Sequence, residues 1–304
     1  MTTPAPVWTG TCADPFALRV PDGYVMYGTG GPGGDRAFQV LSSPDLVTWT
    51  DRGGALERLA DEPPQASYWA PEVAHVDGTW VMYYSVGSEQ SAHHLRVATS
   101  RDPLGPFVDA GVDLSPDLPF AIDPSPFQDR DGTWWLFFAT DELSGERPGT
   151  VLAVQRLESP TSLAGSPQLL LRATADWQRF EADREIYGAR YDWHTLEGPH
   201  VVHRAGRYWM FFSAGNFQDD TYGVGLAVAD AVTGPWSLVG SGASVLHTGV
   251  AGLIGPGHNS VLTDAAGDDH LVFHAYDTTR TRRQPYVVPL GWDANGPRPD
   301  WDAA

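Results

Sequence analysis

The stretch Ala121–Asp141, AIDPSPFQDRDGTWWLFFATD, sets a carboxylate directly before a proline, turns at Gly132, and ends in an aromatic run that alternates like a buried strand. The same phrase recurs as ADPFALRVPDGYVMYGTG from Ala13, APEVAHVDGTWVMYYSVG from Ala70 and EGPHVVHRAGRYWMFFSAG from Glu197, and more loosely as GPGHNSVLTDAAGDDHLVFHAYD from Gly255. With one proline of each copy as a marker, Pro15, Pro71, Pro124, Pro199 and Pro256 are separated by 56, 53, 75 and 57 residues. Such spacings suit one four-stranded blade with ordinary turns, with an insertion in the long interval.

A second element falls between the markers: FQVLSSPDLVTWTD from Phe38, HLRVATSRDPLGPFVD from His94, VLAVQRLESPTSLAGS from Val151 and VGLAVADAVTGPWSL from Val224. Each is an alternating strand, then a turn of Ser, Asp, Pro or Gly, which is the pattern of a hairpin. No segment carries a sustained helical stripe. The nearest, ATADWQRFEADREIY from Ala173, predicts a helical or loop insertion over about 173–192. The chain is therefore expected to be all-β. It reads as a single domain over 1–304, a five-bladed β-propeller of four-stranded antiparallel blades starting near 13, 70, 122, 197 and 255. PYVVPLGWD from Pro285 would complete the ring. A β-sandwich gives no reason for similar phrases at a near-constant period. Trp134, Trp135, Phe137 and Phe138 alternate within one strand and are expected in the core.

Hydrophobic residues make up 42% and aromatics 12%, enough for a large core with some aromatics left for a binding surface. The formal net charge of −19 would repel phosphate backbones, which excludes the electrostatic footprint of a nucleic-acid binder. All the cationic side chains are arginine, so Schiff-base chemistry on a lysine is excluded too. The single cysteine, Cys12, allows neither an intramolecular disulfide nor a cysteine zinc cluster, and is expected to be a small buried thiol. No window reaches the 18 or so apolar residues of a membrane span, and MTTPAPVWTG has no signal-peptide pattern. The expectation is a cytoplasmic protein, or a secreted one if a signal peptide has been removed.

In a propeller the innermost strand of each blade runs along the axis, so equivalent repeat positions converge at one mouth. That gathers Asp14, Asp123 and Glu197, with Glu72 one residue past its proline and His258 two past. A proline suits the start of a strand, and the residue before it is expected to be extended. Asp before Pro is an ordinary turn pair in any single copy. Repetition at matched positions shifts the weight toward function, because carboxylates crowded at a partly dry mouth repel one another and are costly for stability alone.

Taken in order, ADPF at Ala13, YWAPEV at Tyr68, AIDPSPF at Ala121, LEGPHV at Leu196, GPGHNSV at Gly255 and LGWDANGP at Leu290 resemble glycoside hydrolase family 43. This is the family of five-bladed arabinanases, arabinofuranosidases and β-xylosidases, and the resemblance covers nearly the whole chain. It implies Asp14 as general base, Asp123 as the carboxylate that tunes and orients the acid, and Glu197 as general acid. His258 resembles an axial histidine near a calcium or other ion in the central channel, held largely through water, and no cofactor is required for the chemistry. The family inverts anomeric configuration, which calls for a carboxyl separation of about 6.5–9.5 Å. Trp69 and Trp193, with Phe16 and Tyr68, are candidate sugar-stacking faces. Of Arg282 and Arg283, which the sequence does not separate, Arg283 is carried as the residue reaching the sugar.

The implied function is an inverting exo-acting α-L-arabinofuranosidase working on an oligosaccharide from arabinan or arabinoxylan. Gly215–Tyr222 (GNFQDDTY) and the loop before Trp193 are expected to wall off one end of the groove. A β-xylosidase or endo-arabinanase of the same fold is the alternative. A carbohydrate-binding propeller without catalysis is the reading from another class, and the unequal residues of the copies weigh against it. No nucleic-acid or membrane partner is expected, and oligomeric state is not readable.

Overall fold

The computed structural model describes residues 3–303 other than 32, 63, 64, 89 and 90. Among the described residues the only helical segments are two three-residue 3-10 turns; the rest of the regular structure is β. Gly-, Asp- and Pro-rich turns separate short apolar runs, and within each sheet most runs pair antiparallel with the next.

The first sheet is the meander β1 (Ala13–Val20), β2 (Gly23–Thr29), β3 (Arg36–Ser43) and β4 (Thr50–Glu57). The second is β5 (Ala66–Val76), β6 (Thr79–Ser88), β7 (Ser91–Ser100) and β8 (Val108–Asp113). A ten-stranded sheet follows. It holds β9 (Ala121–Gln128), β10 (Trp134–Glu142), β11 (Gly149–Ser159) and β12 (Ser162–Leu171), then β13 (Arg179–Ile186), β14 (Ala189–Arg204), β15 (Arg207–Ala214), β16 (Gly223–Ala229), β17 (Ser237–Leu238) and β18 (Leu246–His247). Its two meanders are stitched by a short parallel contact of β11 with β14, Gly149 beside His194 and Thr150 beside Thr195. The last sheet is β19 (Gly257–Thr263), β20 (Asp269–Tyr276), β21 (Arg283–Asp293) and β22 (Gly296–Pro299).

The segment expected to be helix or loop is a β-hairpin. A single 3-10 turn, Asp176–Gln178, leads into β13, which pairs antiparallel with the first part of the 16-residue β14. Glu, Ala and Arg give ATADWQRFEADREIY good helix propensity, but Phe180, Arg184 and Ile186 fall on one face at strand period and find a pocket to line. Tertiary context overrides the propensity.

Apolar residues are divided among clusters lying between successive sheets and between the two meanders of the ten-stranded sheet. Val25, Tyr27 and Phe38 of the first sheet pack with Tyr68, Met82 and Tyr84 of the second, and Phe38 meets Tyr68 edge-on at 6.0 Å and 87°. Val81 and Tyr83 pack with Leu136 and Phe138, and Phe137 and Leu152 with Met210 and Phe212. Phe211 and Leu226 pack with Leu271 and Phe273. Ala17, Met26 and Leu41 then pack with Leu262 and Val272, which brings the last sheet back to the first. The first strands follow the same circuit: β1 contacts β5, β5 contacts β9, β9 contacts β14, β14 contacts β19, and β19 contacts β1. Phe137 and Phe138 are fully buried, while Trp134 and Trp135 are only half-buried at the sheet margin. Cys12 is buried, and that burial pushes its thiol pKa far up, which leaves it inert.

Candidate active site

Each first strand carries one residue in the left-handed region: Asp14 (φ 50°), Ala70 (φ 46°), Asp123 (φ 58°), Gly198 (φ 55°) and His258 (φ 47°). At each of them the pairing register slips, between Ala13 and Phe16, Trp69 and Glu72, Ile122 and Ser125, Glu197 and His200, and Gly257 and Ser260. These are β-bulges, which turn a strand's side chains and concentrate beside active sites. The expectation of extended geometry before proline is thus corrected, because the bulge needs a left-handed residue, a conformation Asp tolerates better than most. Each non-glycine residue so held costs about 1–2 kcal/mol.

The bulge also corrects the alignment of the acids. Asp14, Asp123 and His258 share the left-handed slot, whereas in the fourth copy Gly198 fills it and Glu197 stands one residue earlier, level with Trp69. Side chains from the shared slot meet: His258 Nδ1 lies 3.5 Å from Asp14 Oδ1 and 4.0 Å from Asp123 Oδ2. Asp123 Oδ2 accepts the Gly198 N–H at 2.8 Å. Tyr222 donates its hydroxyl to Glu197 Oε1 at 2.6 Å. Gly257 makes room for that tyrosine, since a Cβ there would stand 2.1 Å from its ring.

The surroundings of the carboxyls shift their pKa values in different directions. Burial alone would raise the Asp14 pKa, but Arg283, whose Nη1 is 3.1 Å from Oδ1, and the His258 charge pull it well below the usual range. The Asp14 backbone N–H donates to His274 Nδ1 at 3.0 Å, and burial holds His274 neutral. Glu197 moves the other way: burial, then the neighbouring Asp123, pushes its pKa up. Asp123 is also raised, chiefly by burial. Burial opposes the charge on His258, but Asp14, Asp123 and Glu197 together raise its pKa.

One pocket of about 380 Å³ is lined by Asp14, Asp123, Glu197, His258, Arg283 and Trp69. Trp69 stacks on His93 with centroids 3.6 Å apart. Arg283 faces inward, its guanidinium also over the Phe217 ring at 5.2 Å, whereas Arg282 is exposed. Three proposed sugar faces lie elsewhere. Trp193 is 1% exposed, its ring covered by the Arg184 guanidinium at 5.3 Å and by Tyr187 and Tyr191. Tyr68 is buried, with its hydroxyl bonded to Glu62 at 2.8 Å. Phe16, just past the bulge, packs into the core between the first two sheets. Glu72 sits below the mouth, accepting from Ser125 at 2.8 Å, with His200 Nδ1 at 3.3 Å.

Sequence reasoning missed Tyr222 as the partner of Glu197, and missed Phe180, Arg184, Tyr187 and Asp141 on the pocket wall. The signal for Phe180 and Arg184 was their even spacing with Ile186, whereas Tyr187 lies in the turn after β13 and carries no such signal. Phe217 comes from the Gly215–Tyr222 loop expected to close one end.

Asp123, Glu197 and His258 bring potential ligand atoms within 4.8 Å of one another. The set does not fit a directly bound calcium ion, which takes six to eight oxygens. Two carboxyls and an imidazole whose surroundings favour its proton are a poor cage, and a divalent cation there would drive the proton from Glu197.

The family profile described as Glycosyl hydrolases family 43 matches residues 3–297. The chain is 31% identical over 298 residues to the β-D-galactofuranosidase xynD of Aspergillus niger, covering 91% of this chain and 78% of that protein. It is 26% identical over 280 residues to an extracellular exo-α-(1→5)-L-arabinofuranosidase of Streptomyces avermitilis, covering 86% of this chain and 54% of that enzyme, so it spans about half of that relative. Among solved structures, a thermostable family-43 glycoside hydrolase superposes with a TM-score of 0.83 at 28% identity, over 99% of this chain and 96% of that one.

Proposed function

This chain belongs to glycosyl hydrolases family 43 and is a glycoside hydrolase, and from that premise we propose that it is an inverting, exo-acting α-L-arabinofuranosidase built as a five-bladed propeller. Support for the blades comes from the circuit of first strands, β1 through β5, β9, β14 and β19 back to β1. What carries the chemistry is that two carboxyls of one pocket stand in surroundings that shift their pKa values in opposite directions. Asp14, held ionised by Arg283 and His258, acts as base, and Glu197, held protonated by burial and Asp123, acts as acid.

In the reaction, water attacks the anomeric carbon as Asp14 takes its proton. The glycosidic C–O bond breaks, and Glu197 gives its proton to the departing oxygen. Because Oε1 accepts from Tyr222, the Glu197 proton sits on Oε2 and is presented to the sugar. Asp123 does not transfer a proton; it keeps Glu197 protonated and fixes the backbone beside it through Gly198. These steps are proton transfers among protein carboxyls, water and sugar, and the negative charge of Asp14 and Asp123 is faced by two cationic side chains, Arg283 beside Asp14 and His258 between the two.

The arabinofuranoside reading rests on the pocket walled by Phe180 and Phe217, and on the Streptomyces relative's activity. A second reading, a β-D-galactofuranosidase, is favoured by the Aspergillus relative. The two sugars share the configuration of the five-membered ring and differ by one exocyclic carbon. For location, the extracellular naming of the Streptomyces relative weighs against the cytoplasmic expectation. No helix among the described residues is long and apolar enough to cross a membrane.

The test is turnover of aryl α-L-arabinofuranoside, β-D-galactofuranoside and β-D-xylopyranoside, with the anomer of the first product read by NMR. Release of the β-anomer of arabinose supports the proposal. A preference for the galactofuranoside or xyloside would replace the substrate, and retention of configuration would overturn the roles of Asp14 and Glu197.

A further inference from the structure

Asp141 is a pocket carboxylate with no part in the proton transfers. It lies near the end of β10, where its Oδ1 accepts the Thr150 hydroxyl at 2.9 Å and its Oδ2 accepts the Tyr187 hydroxyl at 2.7 Å. Thr150 and Tyr187 stand on the same wall. An ionised carboxylate offers about four lone-pair directions, so two neutral donors leave each oxygen free to accept again. Burial raises its pKa, a cost that its two hydroxyl partners and the more distant Arg184 offset in part.

Position decides what it faces. Thr150 pairs with Thr195 where β11 runs beside β14, and Glu197 lies two residues farther along β14. Asp14 and Arg283 reach the pocket from β1 and β21, in other sheets. Asp141 therefore shares the acid's side of the pocket. The oxygen that Glu197 protonates belongs to the leaving group, so the sugar attached to it extends on that side. Phe180 of the inserted hairpin adds a ring there, stacked on Phe217 at 6.4 Å and 28°. An aromatic face for the C–H side of a sugar and a carboxylate for its hydroxyls are the two features such recognition uses.

We infer that Asp141, held by Thr150 and Tyr187, and Phe180 form the binding site for the leaving-group sugar, with Asp141 accepting its hydroxyls. The inference rests on Glu197 being the acid. The inserted hairpin then serves recognition, because it contributes Tyr187 and Phe180 to a subsite for a neutral second sugar.

The experiment compares α-1,5-arabinobiose, which carries that sugar, with 4-nitrophenyl α-L-arabinofuranoside, which does not, for wild type, Asp141→Ala and Asp141→Asn. The ratio of kcat/KM for arabinobiose to that for the aryl glycoside should fall about ten- to hundredfold, the value of hydrogen bonds to a charged group. Most of the loss should lie in KM. Loss of both activities together, or of neither, overturns the inference, and the Asn variant keeps the shape of the site should the Ala variant fold poorly. Failure of the parent reading looks different: wild type would cleave neither substrate, or Glu197→Ala would keep arabinobiose turnover and its basic pH limb.

Discussion

Asp123 accepts the backbone N–H of Gly198 at 2.8 Å, and Gly198 is the residue that follows Glu197 in the chain. The carboxylate that raises the acid's pKa also grips the backbone from which the acid projects, so charge and position are set by one contact.

Replacing Asp123 by Asn keeps an acceptor for that N–H and removes the charge. Glu197 then loses the neighbour that, after burial, does most to raise its pKa. With Glu197 as the proposed acid, activity requires its protonated form, so the basic limb of the kcat/KM profile moves to lower pH, and kcat falls by about tenfold or more. A limb that stays in place while kcat falls would leave Asp123 a purely structural role.

Glu197→Gln should stabilise the protein at alkaline pH. Its carboxyl is raised to about 7 in the folded chain, against 4.5 for an ordinary glutamate. A raised pKa contributes stability that is present below the unfolded value and lost as pH rises through the folded one. The variant loses nothing over that window, so its advantage in urea unfolding grows between pH 5 and pH 8, toward something on the order of 3 kcal/mol. An advantage equal at both pH values would mean that the acid is not raised.

Arg283→Met acts on the other limb. In the proposed mechanism Asp14 must be ionised to take a proton from water, and among its favourable partners Arg283 contributes most to lowering its pKa. Without that guanidinium the Asp14 pKa rises and activity is lost at higher pH on the acidic side. The measurement is again the pH profile of kcat/KM, on an aryl glycoside. An acidic limb at its wild-type position would separate Arg283 from the base.

Gly198→Ala tests the bulge. The position has φ 55°, and an added Cβ would lie 3.2 Å from ring atoms of His258. The variant should lose about 1–2 kcal/mol in urea unfolding, together with activity, since Glu197 is the adjacent residue. An unchanged unfolding midpoint would show that this backbone is free to leave the left-handed region.

Much of the framework was legible in the chain. AIDPSPF, ADPF and LEGPHV mark first strands by their prolines, and the aromatic runs that follow mark second strands, because a continuous apolar run of strand length records a strand covered on both faces. The inserted hairpin was less legible: ATADWQRFEADREIY carries helix-forming residues, and only pairing with β14 makes it a strand. Trp193 looked like a sugar platform because a Trp beside an acid often is one. Arg184, Tyr187 and Tyr191 cover it, and all come from the same hairpin.

By itself the sequence determined the all-β character, the repeat, and which side chains are candidates for the chemistry, since periodicity and residue type are local properties. Only the tertiary structure decided how those candidates divide. The left-handed slot of each bulge turns Asp14, Asp123 and His258 toward one another, and shifts Glu197 one residue out of that set to a place where Tyr222 bonds it. Charge state followed from those distances. Arg283, arriving from the far end of the chain, lowers the Asp14 pKa, while burial and then Asp123 raise that of Glu197.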